Sequence, residues 1–456
     1  MLHRAQAHLV GGLLTGVGFF GAVLAAHGQE GSVATTPAYK VLYTFTGEGD
    51  GSEYNTLLPY DKYVIRDREG NLYGTAPYGG YESGGEFSTC GEYGCGVAYK
   101  LDKAGKQTVL HAFTGTPDGM FPVSSLARDD DGNLYGTTTG GGFTGGSCGG
   151  FGCGVVFKID RHGNESVVYT FQGDADGRNP AAGLVRDEWG SLYGTTPDGG
   201  EYGSGTVYKL DNDGKETIVY SFTGGTDGGG PFSGLIRDDK GNLYGTTRQG
   251  GAPGSCFGEG CGVVYKIDRS GKQAVIYAFQ GAPDGAAPTA SLIRDEDGNL
   301  YGNAGSGGNT GQYCGSFGCG VVYKIDRNGK ESVLYTFAGA QDGEIPTGRL
   351  FRLDHKLYGV TYYGGEVSDC FGFGCGEVFE LNQAGKKRVV YTFTGEADGG
   401  VADAGLTGDE EGNIYGSTEF GGDVTGPTGL CGGGCGVVFE VKVRAERHDS
   451  DTPPNE

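Results

Sequence analysis

Asp198, Glu344 and Glu419 are the carboxylates of this chain best suited to paired acid-base or nucleophilic work. Glycosidic bonds are cut by such pairs, one group giving a proton while the other attacks or activates water. Tyr78, Arg248, Gln249, Tyr362, Tyr363 and Phe420, with Asp198 and Glu419 again, are suited to holding a carbohydrate or peptide, because rings stack while charges and amides orient. Beyond residue 28 the histidines are His111, His162, His355 and His448, expected in a strand, in two turns and in the C-terminal tail. That distribution suggests neither a histidine-based triad nor a histidine metal cage.

Twelve cysteines fall in six close pairs: Cys90 and Cys95, Cys148 and Cys153, Cys256 and Cys261, Cys314 and Cys319, Cys370 and Cys375, Cys431 and Cys435. The third repeat lacks both members together, as local pairing requires, so six disulfides within loops are expected. Metal sites are the alternative, but they need about four ligands each and these loops bring no histidine. A Phe-x4-Asp-Gly phrase also recurs, placing Asp50, Asp118, Asp176, Asp227, Asp284, Asp342 and Asp398 at the start of a loop. Its expected role is a turn in which the carboxylate accepts main-chain N–H bonds. Calcium is the sharper alternative, with Asp174, Asp176, Asp295 and Asp297 as ligands, although no stretch supplies a complete loop with a distal acid. No other cofactor is expected.

The elements that must position these groups follow from a repeat. Leu-Tyr-Gly-Thr or a near variant occurs seven times, with tyrosines 73, 135, 193, 244, 301, 358 and 415, and the later steps settle at 57 residues. Val-Leu-Tyr-Thr-Phe and Gly-Val-Val-Tyr-Lys type runs interleave with it seven times each. In the second unit this predicts strand a near 124–128, b near 134–138, c near 154–159 and d near 167–171, with tight turns at 129–133 and 160–163. Seven such four-stranded units predict an all-β, seven-bladed β-propeller, since one small sheet cannot bury both faces alone.

The chain opens on a d strand (41–45) and ends on a c strand (437–441), so the first strand is expected to complete the last blade and remove a free edge. Strand alternation puts the a-b and c-d turns on one face and the b-c and d-a loops on the other. The candidate binding residues fall on the second face, directly after the repeated motif. Trp189 falls in a turn of the first face. The first unit carries about six extra residues within 52–63, including Glu53, Tyr54 and Tyr60, and the last lacks the proline that follows Asp-Gly in five others.

Residues 1–28 have the three parts of an export signal, with Arg4, an apolar run and a small-residue site before Gln29. A lead over 29–40, one propeller over 41–443 and a disordered polar tail over 444–456 complete the expected layout. No later run reaches the ~20 apolar residues of a membrane helix. The net charge of −23 repels phosphate backbones, so nucleic acid is not an expected partner.

Gly-Asn-Leu-Tyr-Gly-Thr-Thr (132–138 and 241–247) and Gly-Cys-Gly-Val-Val-Tyr-Lys-Ile-Asp (260–268) make the chain resemble the GloVer tandem-repeat family of exported bacterial proteins, over about 41–443. The resemblance implies a secreted or surface repeat protein, brings no activity with it, and differs here in the lack of a visible C-terminal anchor. The leading expectation is a non-enzymatic, monomeric binding module or scaffold outside the cytoplasm, extracellular or periplasmic, for a glycan or protein. A carbohydrate-active lyase or hydrolase, and a purely structural envelope protein, are the alternatives.

Overall fold

In the computed structural model, which describes residues 38–53, 62–80, 90–91, 93–252, 256–311, 313–365, 370–422, 431 and 433–443, the repeat folds as seven four-stranded antiparallel sheets. The second blade is typical: Ala127–Arg128 (a), Leu134–Thr138 (b), Val155–Ile159 (c) and Glu165–Thr170 (d) pair in chain order. The leader, the first part of the lead, Tyr54, Tyr60 and the tail lie outside the described residues.

Each residue of the signature motif has a separate job. Leu134 is buried, Tyr135 Oη donates to Asp129 across the a-b turn at 3.1 Å, and Thr137 Oγ1 donates to Ala182 O of the next blade at 3.2 Å. Gly136 is needed because a Cβ there would fall 2.5 Å from the Phe157 ring. Such rings make the interfaces between blades. The phenylalanine after each d strand meets the strand-c aromatic of the next blade edge to face: Phe45 with Tyr99, Phe113 with Phe157, Phe171 with Tyr208, and so on to Phe393 with Phe439. Each pair contributes about 0.5–1.5 kcal/mol beyond its buried area.

Strand a is shorter than the sequence suggested. Ser124 and Ser125 do not extend it, and the Ser124 carbonyl serves the neighbouring blade instead: Thr75 Oγ1 donates to Ser124 O at 2.8 Å. At the corresponding place Gly405 N donates to Lys62 O at 2.6 Å and Leu406 N to Arg349 O at 3.0 Å. These main-chain approaches mark the narrow, axial end of each wedge. The sixth blade differs, with strands Glu344–Leu353 and Lys356–Tyr363. Its turn is reduced to Asp354 and His355, both with positive φ (46° and 60°), the conformation that joins twisted strands by two residues.

Ala38–Thr44 pairs with Val437–Lys442, completing the last blade and closing the ring by hydrogen bonds, from three residues earlier than the 41–45 run implied. All six expected disulfides form, with Cα separations of 4.8–5.2 Å. Each supports a link between blades: the carbonyl of the second cysteine accepts from a d-a loop N–H of the next blade, as in Phe121 to Cys95 (2.9 Å), Ile345 to Cys319 (2.9 Å) and Glu53 to Cys435 (2.9 Å). In the disulfide-free third blade, whose b-c loop is shorter, Ser204 O accepts from Gly230 N at 2.9 Å instead. Among the described residues no helix is long and apolar enough to cross a membrane.

Candidate functional site

The residues that refuse to repeat are held on a regular platform. The second residue after each Tyr-Gly-x-x forms an antiparallel bridge to the residue after Asp-Gly: Ser52 with Tyr78, Arg178 with Asp198, Gly229 with Gln249, and Gly400 with Phe420. In the sixth blade the same pairing, Glu344 with Tyr363, is part of the continuous strands. The two variable segments of each blade are thus zipped together by main chain, which fixes where their side chains start.

This arrangement gathers some candidates and separates others. Tyr362 Oη donates to Glu419 Oε2 of the next blade at 3.0 Å, and the Tyr362 and Tyr363 rings meet edge to face at 4.7 Å. Tyr363 leans on Phe373 at 5.4 Å, and Glu344, its strand partner, has its pKa raised by burial. Asp198 is apart from this group and accepts from Asn179 Nδ2 at 3.2 Å. Tyr78 packs between Tyr93 (5.9 Å) and Phe121 (5.4 Å). Arg248 lies over the Phe232 ring at 5.8 Å, and Gln249 Nε2 donates to Glu259 Oε2 at 2.7 Å. The Phe420 main chain makes two hydrogen bonds with Gly400.

Beneath Tyr362, where blades six, seven and one meet, lies a charged cluster in the core. Lys62, 4 % exposed, is ion-paired with Glu53, and Tyr99 Oη donates to Glu53 Oε1 at 3.2 Å. Burial works against the Lys62 charge, but Glu53, Asp403 and Glu419 outweigh it and lift its pKa above the ordinary lysine value. Glu419 is 0 % exposed, and burial first, then the Asp403 charge, raises its pKa well above the usual carboxylate range. As ionised groups, Asp403 and the Oε1 atom of Glu419 would have no donor; a proton held by Glu419 supplies one, giving an acid-carboxylate hydrogen bond. Four acidic or basic groups are therefore stored as one ion pair and one shared proton.

Lys62, Asp403 and Tyr99 were not singled out from the sequence, although a signal was present. Aligned by blade, Asp403 takes the place of Val123 and Ala181, and Lys62 that of Ser124 and Ser233. These column breaks occur in the two units whose d-a loops were already irregular.

Above the cluster, the loop face carries a set of exposed rings. Tyr93, Phe143, Phe151, Tyr202, Tyr313, Phe317 and Phe373 are all exposed, Phe151 by 71 %, and all lie in b-c loops. Trp189 is the one exposed large aromatic elsewhere among the described residues, in an a-b turn under the Arg237 guanidinium. Between the fourth and fifth blades the loop face opens into a cleft of about 500 Å³ that includes Arg248, Gln249 and Phe317. A larger groove of about 590 Å³ lies on the opposite face, lined by turn residues such as Asp238, Asn242 and Arg294 that recur from blade to blade, and so belongs to the scaffold.

Residues 85–317, 145–373 and 254–430 each match the model of the Gloeobacter/Verrucomicrobia repeat. The chain belongs to that family. No functionally curated protein is detectably similar to it. Solved structures with a similar fold include a gluconolactonase from Xanthomonas campestris (15 % identity, 74 % of this chain and 91 % of that one, TM-score 0.40). Another is a luciferin-regenerating enzyme (14 % identity, 80 % and 98 %, TM-score 0.38). Likenesses this distant carry nothing about activity.

In this Gloeobacter/Verrucomicrobia repeat the shared acids do structural work. Asp176 accepts from Tyr169 Oη at 2.9 Å and Gln172 N at 2.8 Å, and Asp295 from Asn299 N at 2.8 Å and Tyr301 Oη at 2.9 Å. Among the described residues no three His, Cys, Asp or Glu side chains converge as metal ligands. His111 bonds to Asp118 at 3.0 Å within the scaffold, His162 lies in a c-d turn, and His355 in the sixth blade's short turn.

Proposed function

We propose that this Gloeobacter/Verrucomicrobia repeat chain is an exported binding module that presents its b-c and d-a loop face to an extracellular glycan. One observation carries the reading: the exposed aromatic side chains are concentrated in b-c loops, at the rim of a rigid ring. Exposed rings cost solubility unless they meet a partner, and flat aromatic surfaces suit the C–H faces of sugars. The disulfides support export, since such bonds persist in oxidising compartments; cleavage of a leader after residue 28 and a monomeric ring belong to the same proposal. A glycan array read with wild type and a Phe151→Ala/Tyr313→Ala/Phe317→Ala variant tests it. Selective binding that the triple variant loses is expected. Binding unchanged by removal of the rings, or no glycan bound at all, counts against it.

A second reading, a polysaccharide lyase or hydrolase, is favoured by the proton shared by Glu419 and Asp403 behind the half-buried Tyr362 hydroxyl. A stored proton one hydrogen bond from a phenol is the equipment for acid-base work. Release of oligosaccharides from a polysaccharide panel, abolished in Glu419→Gln, would establish it; no release by wild type would remove it.

A further inference from the structure

Arg248 is a cation without a counter-ion among the described residues, in a chain of net charge −23. Arg66, Arg237, Arg352 and Arg388 are paired with Asp409, Glu188, Glu296 and Glu380, whereas Arg248 stands on the loop face at the mouth of a cleft. The Arg248 guanidinium has the Phe232 ring beneath it and, among the described residues, no hydrogen bond or ion pair. Its position is set by main chain: Arg248 N donates to Gly230 O at 3.0 Å, and Gln249 exchanges two hydrogen bonds with Gly229. A guanidinium stacked on a ring keeps its forked edge for a planar anion.

The cleft in front of it, about 500 Å³, is within the ~300–1,000 Å³ usual for ligand sites. Besides Arg248 its wall includes Gln249, Gln280, Ser306, Thr310 and the exposed ring of Phe317. Amides and hydroxyls suit sugar hydroxyls, and an exposed ring suits a sugar face. Glu259 also borders the cleft, where Gln249 Nε2 engages it at 2.7 Å. With that carboxylate nearby and the whole chain acidic, a densely charged polymer is disfavoured, whereas a single carboxylate among hydroxyls is matched by the single arginine.

We infer that the Arg248 cleft takes a uronic acid residue of an extracellular polysaccharide, with the sugar carboxylate on the guanidinium and a sugar face near Phe317. The inference rests on the glycan-binding reading and narrows it to acidic sugars. Calorimetric titration of the full-length protein with neutral oligosaccharides that carry a single galacturonate, guluronate or glucuronate residue, and with their carboxyl-reduced counterparts, tests it. Wild type should bind at least one of the uronate-bearing oligosaccharides, and its reduced form roughly tenfold or more weakly. Arg248→Gln should bring the uronate down to the level of the reduced sugar, Arg248→Lys should fall between, and Phe317→Ala should weaken both forms. Equal affinity for charged and reduced oligomers, or an Arg248→Gln variant with unchanged uronate affinity, overturns the acidic-sugar assignment while leaving the glycan reading intact. No uronate bound overturns it too, and the array with neutral glycans then decides the broader reading separately. A polyglutamate peptide that binds as tightly and is equally lost in Arg248→Gln would overturn the sugar in favour of an acidic peptide.

Discussion

A carboxyl group buried beside a second carboxylate, with the nearest cation already paired to a third, keeps its proton, and Glu419 is in that position. Its pKa is raised, so its contribution to stability is complete below the ordinary carboxylate value and declines as pH rises through the raised folded value. Glutamine can donate to Asp403 and accept from Tyr362 without titrating. Glu419→Gln should therefore melt like wild type at pH 5 and higher than wild type at pH 9, as followed by circular dichroism; parallel pH profiles for the two proteins would contradict the shared proton. Lys62 is the opposite case. Lys62→Met leaves Glu53 buried without its cation and should cost about 3–5 kcal/mol in urea unfolding, the usual penalty for breaking a buried pair from one side. A loss below ~1 kcal/mol, the range of exposed pairs, would mean that water reaches the cluster.

At the scale of the strand, one register position repeats the same logic around the ring. The first side chain of strand d reaches the main-chain carbonyl of the aspartate in the Asp-Gly turn entering its blade. Gln107 Nε2 donates to Asp50 O at 2.9 Å, Gln273 Nε2 to Asp227 O at 3.0 Å, Lys387 Nζ to Asp342 O and, in the closing strand, Tyr39 Oη to Asp398 O. Glu165, Glu216 and Glu331 fill the remaining three places, each with a buried Oε1 that has no partner as a carboxylate. A protonated glutamate offers the donor that glutamine offers. Burial, with Asp176 and Asp284 adding their charges, pushes Glu216 and Glu331 up to about 7; Tyr169 and Tyr208 face the former, Tyr277 and Tyr323 the latter. Burial also raises Glu165, with His111 opposing and Asp118 assisting. The Glu216 and Glu331 links should hold fully below pH 4.5 and weaken as pH rises through 7, and the Glu165 link should weaken in the same direction. The variant Glu165→Gln/Glu216→Gln/Glu331→Gln should gain about 1 kcal/mol per restored hydrogen bond at pH 8 and almost nothing at pH 5. Equal gains at both values would point to a packing effect instead. The disulfide loops act at the same scale, each closing a short loop worth about 2 kcal/mol in the unfolded chain. Cys256→Ser/Cys261→Ser should lose about that much, and retain the ring, since the third blade makes the same main-chain link through Ser204.

For the whole molecule, closure joins the two ends of the described ring. Ala38–Thr44 covers the outer edge of Val437–Lys442, while Gly405 and Lys62 meet at the axial end. Phe45 also supplies the ring against Tyr99 at the seam. Removal of residues 38–45 should leave an open edge and an unfilled interface, giving a broad, non-cooperative melt and concentration-dependent aggregation by light scattering. A sharp two-state melt of a monomeric truncated protein would show that the last blade is stable with three strands. The charged cluster at the seam depends on the same closure, because Lys62 and Glu53 come from the first blade and Asp403 and Glu419 from the last.

The sequence by itself determined the number of blades, the strand order, the shared strand at closure, the six local disulfides and the face that carries variation. All of these follow from periodicity or from neighbours in the chain, such as Cys256 and Cys261, whose contact needs only a short loop. It also gave Tyr362, Tyr363 and Glu419 as residues to watch, because they follow the repeated motif and differ from it. Only the tertiary structure decided that Glu419 faces Asp403 and Lys62, residues about 16 and 357 positions away in a chain that meets itself at the seam. It likewise decided that Glu165, Glu216 and Glu331 sit where donors belong, because a side chain's partner across a blade interface is set by ring geometry and sheet twist. Those depend on all seven sheets packing at once, and no local stretch of sequence contains them.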